Sequence, residues 1–366
     1  MRFLRDKLTG RSAIRVVLVL AIIVFVAAAA GFELPKPTPP EAPRAGARAR
    51  SANVVIKPSG EAQIGELAFM AVEADGTVIA TDRGTRSIRR FDRSGRQISN
   101  WGPLFAQAGE IGEPAGIAVE GDHYFVVDRG TECVLRLDRD GRVMASFALQ
   151  QIGPYGMNGI AVDSAGRIYV CDTGRNRILV LDNGGRFIRE IGLGGAGSGQ
   201  LKQPMSVSFG PDGSMFVADW ENGRIAQWDK EFQPVREWTV GFKPYGVAVD
   251  RQGRVYVPDA DQRKVKVFAP ASGTLLGELS GSGGAPIEVS MPRQVALGAD
   301  GVLYLLGGAG IARVEIENTA PPPQASAGDL LDPSTLAALG LVVLVALLAL
   351  DRRRRRASGV AELSPS

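Results

Sequence analysis

Aspartate recurs in this chain at a fixed spacing. Asp82, Asp128, Asp172, Asp219 and Asp259 each end a short apolar run, six residues after Gly76, Asp122, Gly166, Gly213 and Gly253. Paired carboxylates do general acid–base work and converging carboxylates hold hard cations. The regularity of this set argues against both uses. One aspartate per repeat, always in the same frame, is spread around a repeating structure and does not converge. An aspartate at a strand end accepts backbone N–H groups of the next turn. Other reactive side chains are scarce. The only histidine is His123, and one imidazole cannot build a multi-histidine metal site. Cys133 and Cys171 read as buried thiols, although an oxidising compartment would permit a bridge between neighbouring repeats. The glycine-rich stretch 192–200 (GLGGAGSGQ) lacks the lysine and the strand–helix context of a phosphate loop, and reads as a flexible connection.

The elements that carry these residues are short. Residues 157–191, MNGIAVDSAGRIYVCDTGRNRILVLDNGGRFIREI, contain four β-branched runs separated by Gly, Asn and Asp. These are hairpin signals. The frame recurs: six residues and then ten separate Gly166, Asp172 and Asp182, and likewise Gly76, Asp82 and Asp92, Asp122, Asp128 and Asp138, and Gly213, Asp219 and Asp229. A fifth copy starts at Gly253, with Ala269 at its last position, and a sixth at Gly301 keeps the first interval only. Copies step along the chain by 40–48 residues. That period, with four strands per unit, is the pattern of β-propeller blades. The expected fold is all-β, a six-bladed propeller with four strands per blade. Residues 52–57 (ANVVIK) precede the first copy, and the sixth copy has only three candidate strands. An unclosed ring would expose a strand edge, so Val54–Ile56 is expected to complete the last blade as its outermost strand.

The blade core GIAVDSAGRIYVCDTGRNRILVLDNGGRF resembles an NHL repeat, and residues 52–318 resemble a six-bladed NHL propeller. The likeness is best in the third copy and good in the fifth (PYGVAVDRQGRVYVPDADQRKVKVF). The first copy lacks the leading Pro-x-Gly, and the sixth has GGAGIAR in place of the Asp-turn. Resemblance to NHL sensor and scaffold domains implies binding. Related six-bladed propellers of the gluconolactonase and paraoxonase types hold a divalent cation at the channel with carboxylate and amide oxygens, and the peptide-amidating lyase uses imidazoles for zinc.

In such a fold the first strand of each blade lines the channel. The repeat frame aligns Ala68, Ala115, Asn158, Met205, Tyr245 and Arg293 there, and brings the turns after the repeat aspartates (Arg83, Arg129, Thr173, Trp220 and Ala260) to the same face, with Tyr155 nearby. Asn158 is the only metal-type ligand in that set, Arg293 is adverse to a cation, and Glu66 is out of frame. His123 starts a second strand, which puts it at the opposite face. No catalytic residue, metal or cofactor is therefore expected; calcium is the ion an enzyme reading would bring in. Aromatic and arginine side chains are favoured at interface hot spots, so the candidate binding set is Asn158, Tyr155, Trp220, Tyr245, Arg293, Arg83 and Arg129. The expected function is a binding, scaffold or sensor module for a protein, peptide or envelope glycan. The alternative is a metal-dependent hydrolase or lyase of the gluconolactonase-like type.

The ends read differently from the repeats. Residues 1–32 hold a basic stretch followed by apolar residues 16–32, either a signal anchor with one span or a cleavable signal peptide. Residues 33–51 form a Pro/Ala/Arg-rich linker and 319–333 a Pro-rich one. Residues 334–350 form an apolar transmembrane helix, and 351–366 an Arg-rich tail that marks the cytoplasmic side. The C-terminal segment also resembles sorting signals removed by sortase-like enzymes, without an LPxTG-type motif before it. Together these place the protein at the cell membrane with one or two spans and the propeller on the extracytoplasmic side. Both tails lie in the cytoplasm, or only the C-terminal one if a signal peptide is cleaved. The formal net charge is +3; the termini and linkers together carry +7, which leaves the repeats near −4. That balance lacks the basic footprint of a nucleic-acid binder.

Overall fold

The computed structural model describes residues 49–56, 64–102, 112–281, 285, 287–308 and 310–316. They form six four-stranded antiparallel sheets, each ordered from first to fourth strand in the sequence of the chain, except the last. In blade three the strands are Met157–Val162, Ile168–Asp172, Arg177–Leu181 and Phe187–Ile191. The first strands of neighbouring blades contact one another around the ring, and blade six meets blade one. The fold is therefore a six-bladed β-propeller.

Blade six consists of Gln294–Leu297, Leu303–Gly307 and Gly310–Ile316, with Ala49–Ile56 as its fourth, outermost strand. The N-terminal segment thus closes the ring as expected, but its strand is longer than the run suggested. Pairing begins with Ala49 opposite Ile316, inside the stretch read as linker, and ends with Ile56 opposite Ile311. Ile56 is buried beside Met70, Phe91 and Tyr304 in a cluster that spans blades six and one.

One turn explains why the blades keep their frame. Asp163 Oδ1 accepts the N–H groups of Ala165 (3.0 Å) and Arg167 (2.9 Å), while Oδ2 accepts Arg167 Nε (2.7 Å) and the Tyr169 hydroxyl (2.9 Å). Gly166 has φ 75°, a left-handed conformation that suits a residue without Cβ. Asp250, Gln252, Arg254 and Tyr256 repeat the arrangement. In blades one, four and six Glu73, Gly210 and Gly298 stand at the place of Asp163 and the backbone turn is kept; blade two departs further. Asp122 holds the frame position, but Gly121 takes the positive φ, and the hairpin is tighter, with Glu120 opposite His123. Three residues beyond the frame position lie Ile79, Phe125, Tyr169, Phe216, Tyr256 and Tyr304, all fully buried. A buried side chain of that size contributes roughly 1.5–3 kcal/mol, so one local turn positions one core anchor per blade.

The repeat aspartates are structural. Asp219 accepts Lys202 N–H (2.7 Å), Asn222 Nδ2 (2.8 Å) and Arg224 Nε (2.7 Å). Asp128 accepts the N–H groups of Gly112, Glu113 and Gly130 and the Thr131 hydroxyl. Asp82, Asp128, Asp172 and Asp219 therefore do more than cap the next turn: each ties the end of a second strand back to the loop that enters its own blade. Asp259 caps its turn, at Asp261 and Gln262, and pairs with Lys266. Burial opposes the charge of Asp82, but the Gly65 N–H, Thr85 and Arg89 outweigh it and hold this carboxyl below its ordinary value. At Asp172 burial outweighs the Tyr155 N–H and Arg177, and the carboxyl is pushed up.

The 192–200 stretch is held rather than loose. Arg224 donates to the carbonyls of Ala196, Gly197 and Gln200, and Asn222 donates to that of Gly195. Both cysteines are buried free thiols in separate core clusters, and burial pushes the Cys171 thiol up. His123 begins the second strand of blade two, where it contacts Arg136. The proposed membrane segments, residues 16–32 and 334–350, lie outside the described residues. Among the described residues no helix is long and apolar enough to cross a membrane.

Candidate functional site

The first strands bring the candidate residues together. In blades one to four the pairing of first and second strands is interrupted by a bulge at the second position: in blade three Met157 pairs with Asp172 but the next pair is Ile160 with Val170. Bulges re-aim side chains, and here they carry Ala68, Ala115, Asn158 and Met205. In blades two, three and five the third position is a glycine that lets neighbouring strands close in. A Cβ on Gly116 would lie 2.3 Å from the Asn158 carbonyl oxygen, one on Gly159 2.6 Å from that of Met205, and one on Gly246 2.6 Å from that of Arg293.

The result is a cavity of about 610 Å³ at the channel mouth. All six second-position residues line it: Ala68, Ala115, Asn158, Met205, Tyr245 and Arg293. So do Arg83, Arg129, Thr173 and Trp220 from the turns after the repeat aspartates. Two expected neighbours do not reach it. Ala260 is not part of the wall, and Tyr155 stays outside, exposed, with its ring against Gly174. Tyr155 contributes its backbone N–H to Asp172 instead (2.7 Å).

The mouth has two chemical halves. On one side Arg83 Nη2 meets Glu66 Oε1 at 2.7 Å, and Glu113 Oε1 lies between Arg83 (3.7 Å) and Arg129 (3.2 Å). Arg129 also donates to the Met157 carbonyl and to Asn158 Oδ1. Burial pulls Arg129 below its ordinary value, partly offset by Glu113. Asn158 Nδ2 donates to Thr173 Oγ1 (2.8 Å), whose hydroxyl donates to the Pro204 carbonyl (2.6 Å). On the other side the rings of Trp220 and Tyr245 lie 5.6 Å apart, with Lys243 Nζ 4.4 Å from the Trp220 ring and the Arg293 guanidinium 5.3 Å from the Tyr245 ring.

Sequence reasoning missed an outer rim. Two residues before each second-position residue stand Glu66, Glu113, Gly156, Gln203, Lys243 and Met291. Glu66, Gln203 and Met291 line the cavity, Glu113 holds two of its arginines, and Lys243 covers Trp220. The fixed offset was the available signal, but the residue types share nothing.

A divalent cation does not fit this donor set. Asn158 Oδ1 already accepts from Arg129, and Glu66 is held by Arg83. Three guanidinium groups enter the space in which a hard cation would need converging oxygens. Among the described residues no group of three His, Cys, Asp or Glu side chains is placed to hold a metal.

The fold and the mouth define a six-bladed β-propeller whose repeats open on a lined central cavity. Residues 158–181, in blade three, match the NHL repeat model. A 115-residue stretch is 31% identical to the protein brain tumor of Drosophila melanogaster, covering 30% of this chain and 11% of that protein's length. Among solved structures the chain is similar to virginiamycin B lyase from Staphylococcus aureus (17% identity, 74% of this chain and 89% of that one, TM-score 0.53). It is also similar to a gluconolactonase from Xanthomonas campestris (16% identity, 77% and 99%, TM-score 0.54). At these identities the structural likeness speaks for the fold.

Proposed function

We propose that the chain is a membrane-tethered, extracytoplasmic binding module that captures a protein, peptide or envelope glycan at the mouth of its propeller. The observation that carries this reading is the composition of the mouth. Its polar groups are consumed by one another through the Glu66–Arg83–Glu113–Arg129–Asn158 chain, and what remains is an aromatic and methionine wall with arginine. Such a wall is suited to contact, since aromatic and arginine side chains dominate interface energetics, and it offers no activated nucleophile. The tether rests on the apolar stretches at 16–32 and 334–350 and the arginines that flank them.

The deciding experiment is elemental analysis of the protein purified without added metal, with thermal unfolding followed with and without chelator and calcium. A ligand that binds the native state raises its melting temperature by mass action. The binding reading expects no stoichiometric metal and no shift with either addition. A stoichiometric metal with a chelator-sensitive transition would overturn it in favour of a metal-dependent hydrolase or lyase.

A further inference from the structure

We infer that the mouth recognises a carboxylate carried on a flat apolar group. This rests on the binding reading above and names the ligand class. The argument starts from which charges are already cancelled. Arg83 and Arg129 share Glu66 and Glu113, and Lys243 holds Glu221 at 2.8 Å. Arg293 is exposed at the cavity and has no carboxylate partner among the described residues. Its guanidinium lies over the Tyr245 ring. A guanidinium resting on a ring face keeps its in-plane N–H fork available, and that fork matches a carboxylate with two parallel hydrogen bonds.

The neighbouring surface selects the rest of the ligand. Trp220, Tyr245, Met205 and Met291 form the adjoining wall. Methionine adapts to irregular apolar shapes and contacts aromatic rings favourably. A cationic ligand is the wrong match, because Lys243 and Arg293 already stand over the two rings. A cavity of about 610 Å³ has the volume of pockets that enclose a single small ligand or the end of a peptide. A free aryl-alkyl acid and a peptide ending in an apolar residue share this chemistry.

The test compares N-acetylphenylalanine with its carboxamide, which differ in charge at one group. Binding to the full chain in detergent is read by saturation-transfer NMR at millimolar ligand. The expected result is that the acid binds and the amide binds about tenfold more weakly, the size of one charge-assisted hydrogen bond. Arg293→Gln should weaken the acid about tenfold and leave the amide unchanged, and Arg293→Lys should restore part of the loss. Met205→Trp, which narrows the cavity, should weaken binding of both; circular dichroism confirms that each variant is folded. An N-acetyl tripeptide ending in phenylalanine, set beside 3-phenylpropanoate, separates the peptide source from the free acid. Absence of acid binding, or an Arg293→Gln protein that binds the acid like wild type, overturns the inference. Equal binding of acid and amide that Met205→Trp still weakens overturns the carboxylate class and keeps the mouth as a binding site. Equal binding that no variant disturbs overturns both readings.

Discussion

Asp219 shows how much a single buried carboxylate does in this ring. It joins the entry loop of blade four at Lys202, the turn at Asn222 and the third strand at Arg224, and it is fully buried. Removing one member of a buried ion pair leaves the other uncompensated, at a loss of about 3–5 kcal/mol. Asp219→Ala is expected to lose stability of that order, measured by urea denaturation, and Arg224→Met to lose a comparable amount because it strands the carboxylate. Surface aspartates act through pH instead. Hydrogen bonds from the Ser94 hydroxyl and Arg96 hold Asp92 at about 2, against an ordinary 3.8. The folded value is depressed, so the unfolded chain takes up the proton first. The stability Asp92 contributes is complete above 3.8 and is lost as pH falls toward 2. Asp92→Asn should therefore show a smaller drop in urea midpoint across that window than wild type. Asp172 has the opposite sign: its raised carboxyl favours the folded state in acid, and that contribution fades as pH rises through its folded value.

At the scale of the strand, the close approach at the mouth is the feature most open to test. Gly159 has the Met205 carbonyl and Ser206 Cα where a Cβ would stand. Both are backbone atoms that cannot rotate away, so Gly159→Ala must push two blades apart. A loss of about 1–3 kcal/mol is expected from such overpacking, with weaker ligand binding at the mouth. An unchanged urea midpoint would show that the ring breathes freely there. This scale also divides what the sequence reveals from what it hides. The blade frame was readable because Asp163, Gly166 and Tyr169 make their turn within seven residues, so the chemistry is local and its spacing is preserved. The lip of the mouth was readable from the repeat frame, which sets Asn158 eight residues before Gly166 and Tyr245 eight before Gly253. The rim was not, because the opening of the first strand fixes the positions of Glu66, Glu113 and Met291 and leaves their identities open. Nor was the cancellation of charge, which depends on pairs such as Arg83 and Glu66, 17 residues apart on different elements. A linear reading counts those charges; only the folded ring shows which are spent.

For the whole molecule, closure is the property on which everything else depends. Deleting 49–56 removes the fourth strand of blade six and leaves Gly310–Ile316 as a bare edge. The truncated protein should melt lower and self-associate through that edge, as read by scanning calorimetry and light scattering. Melting identical to the full chain would show that the strand adds nothing to the ring. The same strand has a mechanical consequence. Ala49 is where the closing strand begins and Ile316 is where its partner ends, and the two face each other in register. The two ends of this strand pair thus stand side by side at one corner of one blade. Drawn in opposite directions, they would unzip blade six one residue pair at a time, at low force. Drawn together toward a single bilayer, they would carry a load on the mouth in parallel, with no pair peeled open. If 16–32 and 334–350 both anchor the chain, as proposed above, this seam is strong in the direction in which a captured partner would pull.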